Sequence, residues 1–113
     1  MRKRGIPPNA LEARRISRFS EIGCIACYLD GHPGEGYDVQ HVTEGGRRLG
    51  HRWSYPLCPY QHRGVVTKPG DKLKGPRFSD QRRDFHARYG TELELVAKTD
   101  ALLGYKTPDR MAA

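Results

Sequence analysis

The spacing of apolar residues divides the chain into a helical start, a short hairpin and a helical end. Leu11, Ile16 and Phe19 recur roughly at helical spacing up to Gly23, and Asn9 with Glu12 has capping-box spacing, so a helix is predicted from Asn9 to a stop at Gly23. Gly31 to Gly36 is a turn-rich loop, and the residues after it, Tyr37 to Val42, have the character of a short strand that delivers His41. Trp53, Tyr55 and Leu57 alternate as a second strand would, with Cys58 at its close. Ser79 is a good N-cap for a helix carrying Phe85 and Tyr89 up to Gly90. Thr91 and Glu94 form a second capping box ahead of Leu95, Val96, Leu102 and Leu103, and these two C-terminal helices are expected to pack over the hairpin.

The stretches between carry charge rather than period. Met1-Arg2-Lys3-Arg4 is a basic arm running into Pro7-Pro8, expected to be flexible or extended. Gly45, Gly46 and Gly50 with Arg47 and Arg48 read as a basic loop. Arg63 to Arg77, with Lys68, Lys72 and Lys74 among its glycines and prolines, reads as a mobile surface loop. The expected organisation is an arm over residues 1–8, a single domain over 9–105 and a frayed tail over 106–113, without internal repeats.

Composition changes this picture in three ways. A chain of 113 residues has room for one compact domain, and only 36% of them are hydrophobic, so burial alone is a thin source of stability and a staple is expected. Three cysteines, no stretch resembling a signal peptide and no span near the ~20 apolar residues of a membrane crossing suggest a cytoplasmic, reducing setting and no membrane partner. The formal net charge of +7 favours polyanionic partners, with nucleic acid foremost.

In a reducing compartment a Cys-x-x-Cys pair reads as a metal knuckle. Cys24 and Cys27 lie two residues apart and Cys58 is the natural third zinc ligand. The fourth is either His62 or Gln61 in the run Pro59-Tyr60-Gln61-His62. A neutral amide oxygen donates more weakly than imidazole, which on chemistry alone favours His62. His41, His51 and His62 surround one hairpin, and phosphodiester hydrolysis needs a base for water and a cation for the charge growing on the phosphate.

The order of these motifs resembles the HNH, or ββα-metal, endonuclease superfamily. It is carried by Cys24-Ile25-Ala26-Cys27, Val39-Gln40-His41-Val42, Gly45-Gly46, Leu57-Cys58 and Gln61-His62. More narrowly the chain is similar to the Ref family of phage recombination-enhancement nucleases that depend on RecA. The similar segments are Ile22 to Cys27, Gly46 to His51, Pro56 to Pro59, His62-Arg63-Gly64 and Phe85 to Gly90. The resemblance implies an α+β fold with a small zinc-stapled, treble-clef-like ββα-metal core, an N-terminal helix and two C-terminal helices. It implies His41 as general base, His62 as ligand of a catalytic Mg²⁺ or similar divalent ion, Cys24, Cys27 and Cys58 as structural zinc ligands, and His51 near the position that orients the site.

Two positions depart from the pattern, because related sequences often place paired histidines where this chain has Gln40-His41 and Gln61-His62. Gln40 retains an amide oxygen that can position water or the metal, whereas the loss at Gln61 leaves His62 facing both the zinc and the catalytic ion. The implied activity is DNA cleavage in the cytoplasm of a phage host, with a RecA-type recombinase filament as partner. The candidate DNA contacts are Arg2, Lys3, Arg4, Arg14, Arg15, Arg18, Arg47, Arg48, Arg63, Lys68, Lys72 and Lys74. The alternative is a non-catalytic zinc module that binds DNA or a recombination protein. An RNA-binding zinc protein ranks behind both, since it gives no reason for the three histidines to cluster.

Overall fold

Helix signals that act within one turn of chain are realised where the sequence places them. In the computed structural model, which describes residues 6–109, α1 spans Ala10–Ser17 and starts at a complete capping box. Asn9 Oδ1 accepts from Glu12 N at 2.8 Å, and Glu12 Oε1 accepts from Asn9 N at 2.9 Å. The helix then tightens into a 3₁₀ turn over Arg18–Glu21 before Gly23. Gly23 has φ +77°, and a Cβ there would come within 2.6 Å of the Glu35 backbone, so the chain can turn and pack at this point because the residue is glycine. α5, Glu92–Leu103, has the second capping box at Thr91 and Glu94 and ends on left-handed Gly104.

The hairpin pairs β1, Asp38–His41, with the strand Ser54–Leu57 in antiparallel register, Asp38 opposite Leu57 and His41 opposite Ser54. Between them the expected basic loop contains its own small hairpin, β2 Thr43–Glu44 against β3 Arg47–Arg48. The second strand of the main hairpin is therefore β4. All four of its residues are buried rather than alternate ones, because α5 packs against it and α2, Ile25–Leu29, does as well. α2 and α3, Pro59–Arg63, are the two short helices that the cysteine spacing did not resolve. The result is α+β, with one core built around Phe19, Ile25, Tyr55, Leu57, Phe85, Leu95 and Val96.

Several expectations are corrected. Ser79 caps nothing: α4, Arg82–Tyr89, begins three residues later with Gln81 at the N-cap, and the Gln81 side chain instead accepts from Arg77 N at 3.1 Å. Leu11 and Leu102, placed on apolar faces, are exposed, Leu11 by 77%. The segment from Arg63 to Arg77 is pinned by Asp71, a buried carboxylate that accepts from the backbone N–H groups of Thr67 and Lys68 at 2.7 and 3.2 Å. The first tail residues are tied down too, since Thr107 Oγ1 donates to Asp100 at 2.6 Å and the Lys106 carbonyl accepts from Arg52 at 3.2 Å. Arg2, Lys3 and Arg4 of the arm and the last four residues of the tail lie outside the described residues.

Candidate metal centre and histidine site

Three buried thiols meet where α2, β4 and α3 converge. Cys24 precedes α2 and Cys27 sits in its first turn, while Cys58 is the N-cap of α3 just beyond β4. Their sulfurs lie within 4.8 Å of one another, with Cys27 and Cys58 at 4.0 Å. Zinc–sulfur bonds of about 2.3 Å arranged tetrahedrally place two sulfurs about 3.8 Å apart, so the spacing suits one ion. The donor set suits it as well. Hydrogen bonds from the Cys24 and Cys27 thiols push the Cys58 thiol down toward thiolate, and the nearby Lys74 ammonium, with Nζ 3.3 Å from its sulfur, adds to the effect. Burial pushes the Cys24 thiol up to about 12.

The side chain that reaches these thiols is Gln61, not the chemically favoured His62. Gln61 is fully buried, and its Oε1 lies 3.5, 3.3 and 3.6 Å from the sulfurs of Cys24, Cys27 and Cys58. The amide orientation follows from its other end, where Nε2 donates to the Pro76 carbonyl, which can only accept, and to Tyr89 Oη, both at 3.1 Å. Gly75 lets this loop pass directly over the Tyr89 ring, since a Cβ there would collide with the phenol oxygen. The loop is clamped further by Lys74, whose burial disfavours the ammonium but is outweighed by Asp71 and Glu35 at 2.9 and 3.0 Å.

The three candidate histidines, His41, His51 and His62, fall into two groups flanking β1. At its end, His41 Nε2 lies 3.0 Å from His51 Nδ1 with the rings edge to face, and His51 Nε2 lies 2.6 Å from the carbonyl oxygen of Ile6. Burial, then the charge of Arg48, then His51 lower the His41 pKa to about 4, so it is a neutral imidazole near neutrality. On the strand's other side His62 Nδ1 meets Asp38 Oδ2 at 2.9 Å, and Arg63 Nε shares that oxygen at 2.8 Å. Burial opposes ionisation of Asp38, but Arg63 and His62 outweigh it and keep the carboxylate charged. An ionised carboxylate only accepts, so His62 carries its proton on Nδ1 when neutral and leaves Nε2 as a free ligand atom. Among the described residues no hydrogen bond joins the two groups.

The chain matches the family model for recombination enhancement, RecA-dependent nucleases over residues 8–104, most of its length. It belongs to the RecA-dependent nuclease family. None of the curated proteins matches it. Membership makes the chain an enzyme acting on nucleic acid, and no helix among the described residues is long and apolar enough to cross a membrane.

For a member of the RecA-dependent nuclease family the placement of cations matters, and the structure sorts them. Arg14, Arg47, Arg48 and Lys72 are exposed. Arg63 and Lys68 are exposed but paired with Asp38 and Glu35, and Arg18 is partly buried against Glu21. Arg15, expected beside Arg14 on a phosphate-facing surface, is 2% exposed and bound to Asp100 at 2.7 Å. Lys74 serves the thiol cluster and its loop. Gln40, expected near the site, turns its amide nitrogen to Glu92 at 3.2 Å and to the His41 carbonyl at 3.1 Å, and Tyr55 donates to the same Glu92 oxygen at 2.8 Å. Asp38 and Glu92 were missed from sequence. Asp38 had a signal, since it shares a strand face with Gln40 two residues on, whereas Glu92 reaches the strand from a helix 52 residues away.

Proposed function

We propose that this chain is an HNH-type, metal-dependent DNA endonuclease of phage recombination, acting in the host cytoplasm beside the RecA-type filament on which its family depends. The observation that carries the reading is His41: a neutral imidazole at the half-buried end of β1, backed by His51 on one ring nitrogen. In this reading His41 takes a proton from water as the water oxygen bonds to phosphorus, and the bond from phosphorus to the leaving sugar oxygen breaks. A divalent ion such as Mg²⁺ held at His62 Nε2 would stabilise the charge growing on the phosphate oxygens. Asp38 orients His62 for that role, as carboxylates commonly do behind a metal-binding imidazole. Zinc bound by Cys24, Cys27 and Cys58 fixes α2, β4 and α3, and so the hairpin that carries the base. Arg14, Arg47, Arg48 and Lys72 grip the DNA backbone with the basic arm, while Arg15 and Lys74 serve structure.

The test is cleavage of single-stranded, duplex and recombinase-coated DNA with Mg²⁺ or Mn²⁺, comparing the protein with His41→Ala and counting zinc on both. Loss of a general base lowers the rate by about 10²–10⁴-fold with zinc content unchanged. Intact DNA in every condition, despite bound zinc and tight DNA binding, would instead identify a non-catalytic binding module.

A further inference from the structure

Residues 6–9, just ahead of α1, have no regular structure, yet they make a directional contact with the histidine pair. Ile6 O is 2.6 Å from His51 Nε2 across 45 residues of sequence. A carbonyl oxygen only accepts, so His51 must carry a proton on Nε2. A neutral imidazole has one N–H, so His51 Nδ1 is then a lone pair. That lone pair faces His41 Nε2 at 3.0 Å, which must donate to it. His41 is thereby left with its only lone pair on Nδ1, the nitrogen turned away from His51.

We propose that the segment just before α1 is a positioning strap for the nuclease, in which the Ile6 carbonyl, acting through His51, selects Nδ1 of His41 as the proton-accepting atom. The inference rests on the nuclease reading above for its catalytic meaning, but with both rings neutral the tautomers follow from hydrogen-bond geometry. If the pair adopted the opposite arrangement, His51 Nδ1–H would donate to His41 Nε2 and His41 would present an N–H to water in place of a lone pair. The carbonyl forbids that arrangement, because it would set a lone pair against a lone pair at Ile6. The same chain of bonds lets imidazolium formed on His41 keep its donor contact to His51 without rearrangement. The charged group that acts most on His41 is the Arg48 guanidinium, which offers no acceptor, so His51 Nδ1 is the acceptor for its N–H.

A full-length chain tests this at one atom. Pro7 follows Ile6 and has no backbone N–H, so replacing it by an α-hydroxy acid turns the Ile6 amide into an ester without deleting a donor. An ester carbonyl is a weaker acceptor. The expected result is a kcat lower by roughly tenfold at unchanged KM, the worth of one hydrogen bond behind the base. His51→Ala should lower kcat comparably, and His51→Gln should recover part of it, since an amide can accept from His41 and donate to Ile6. Imidazole ¹⁵N spectra of the DNA-free protein read the tautomers directly, with Nδ1 of His41 unprotonated and Nε2 of both rings protonated. A protein that cuts DNA through His41 but shows its proton on Nδ1 overturns the strap and leaves the nuclease reading intact. A protein that cuts no DNA but shows the stated tautomers, sensitive to the ester, overturns the nuclease reading and leaves the strap.

Discussion

The neutral form of His41, on which the proposed base role depends, is held by what surrounds it, and its pH response follows. A free imidazole titrates near 6.5, whereas burial first, then Arg48 and His51, lower this one to about 4. Protonation abolishes the base, so lowering the pKa moves the acid limb of kcat/KM downward. Cleavage is therefore expected to hold its rate from pH 8 to pH 5 and to fall by half near pH 4, and Arg48→Ala should raise that midpoint. A pH profile of kcat/KM, which reports the DNA-free enzyme, checks this, and an acid limb near 6.5 in the native protein would sink it. Stability runs in the same sense. The unfolded chain takes up this proton near pH 6.5 and the folded one only near 4, so His41 withdraws stability as pH falls through that window. At this scale the sequence was legible for the three cysteines, whose thiols meet, and for the nearness of His41 to His51. It was not legible where a backbone atom does the work, since no pattern marks the Ile6 carbonyl as the partner of His51.

Elements were legible to the extent that their signals are local. The capping boxes at Asn9 and Thr91 need only residues three apart, and both formed. Which face of α1 turns inward needs a partner from the far end of the chain. Leu11 stays exposed while Arg15 is buried, because Asp100 on α5 accepts from Arg15 Nε at 2.7 Å and from Arg52 Nη2 at 2.8 Å. Arg15 also donates to Ser54 of β4 at 3.3 Å, so one ion pair ties the first helix, the central strand and the last helix. Removing the carboxylate would leave a guanidinium buried without its counter-charge. Asp100→Ala is accordingly expected to cost about 3–5 kcal/mol in urea unfolding. Arg15→Met combined with Asp100→Leu should recover most of it, because replacing both partners by apolar groups removes the stranded charge. A loss below about 1 kcal/mol for the single substitution would mean that the pair contributes only as a surface salt bridge does. The same distance dependence explains β4, read as alternating because the packing of α2 and α5 against it is set by chain far outside the strand.

The whole molecule is organised around the thiol cluster, and Gln61 decides how far that organisation reaches. Its Oε1 sits 3.3 to 3.6 Å from the three sulfurs. The corresponding edge of a tetrahedron with zinc–sulfur bonds of about 2.3 Å and a zinc–oxygen bond of about 2.1 Å is about 3.6 Å. The amide thus occupies the fourth corner in the proposed zinc site, held there by Tyr89 of α4 and by Pro76. An ion at this point connects the start of α2, the end of β4, the loop over 64–77 and α4, which in a chain only 36% hydrophobic is a large share of its cross-links. Chelation is therefore expected to lower Tm steeply, since binding energy at a structural zinc is folding energy. The identity of the fourth ligand is read by competing the native protein, Gln61→Ala and Gln61→His against a chelating dye. Gln61→Ala should give up zinc at the lowest dye concentration, because water replaces an anchored oxygen. Gln61→His should hold zinc longest where its ring fits, imidazole being the better donor. If Gln61→Ala kept zinc as tightly as the native protein, the amide would be a neighbour of the ion and not its ligand, and the link from the zinc to α4 would be lost from the account.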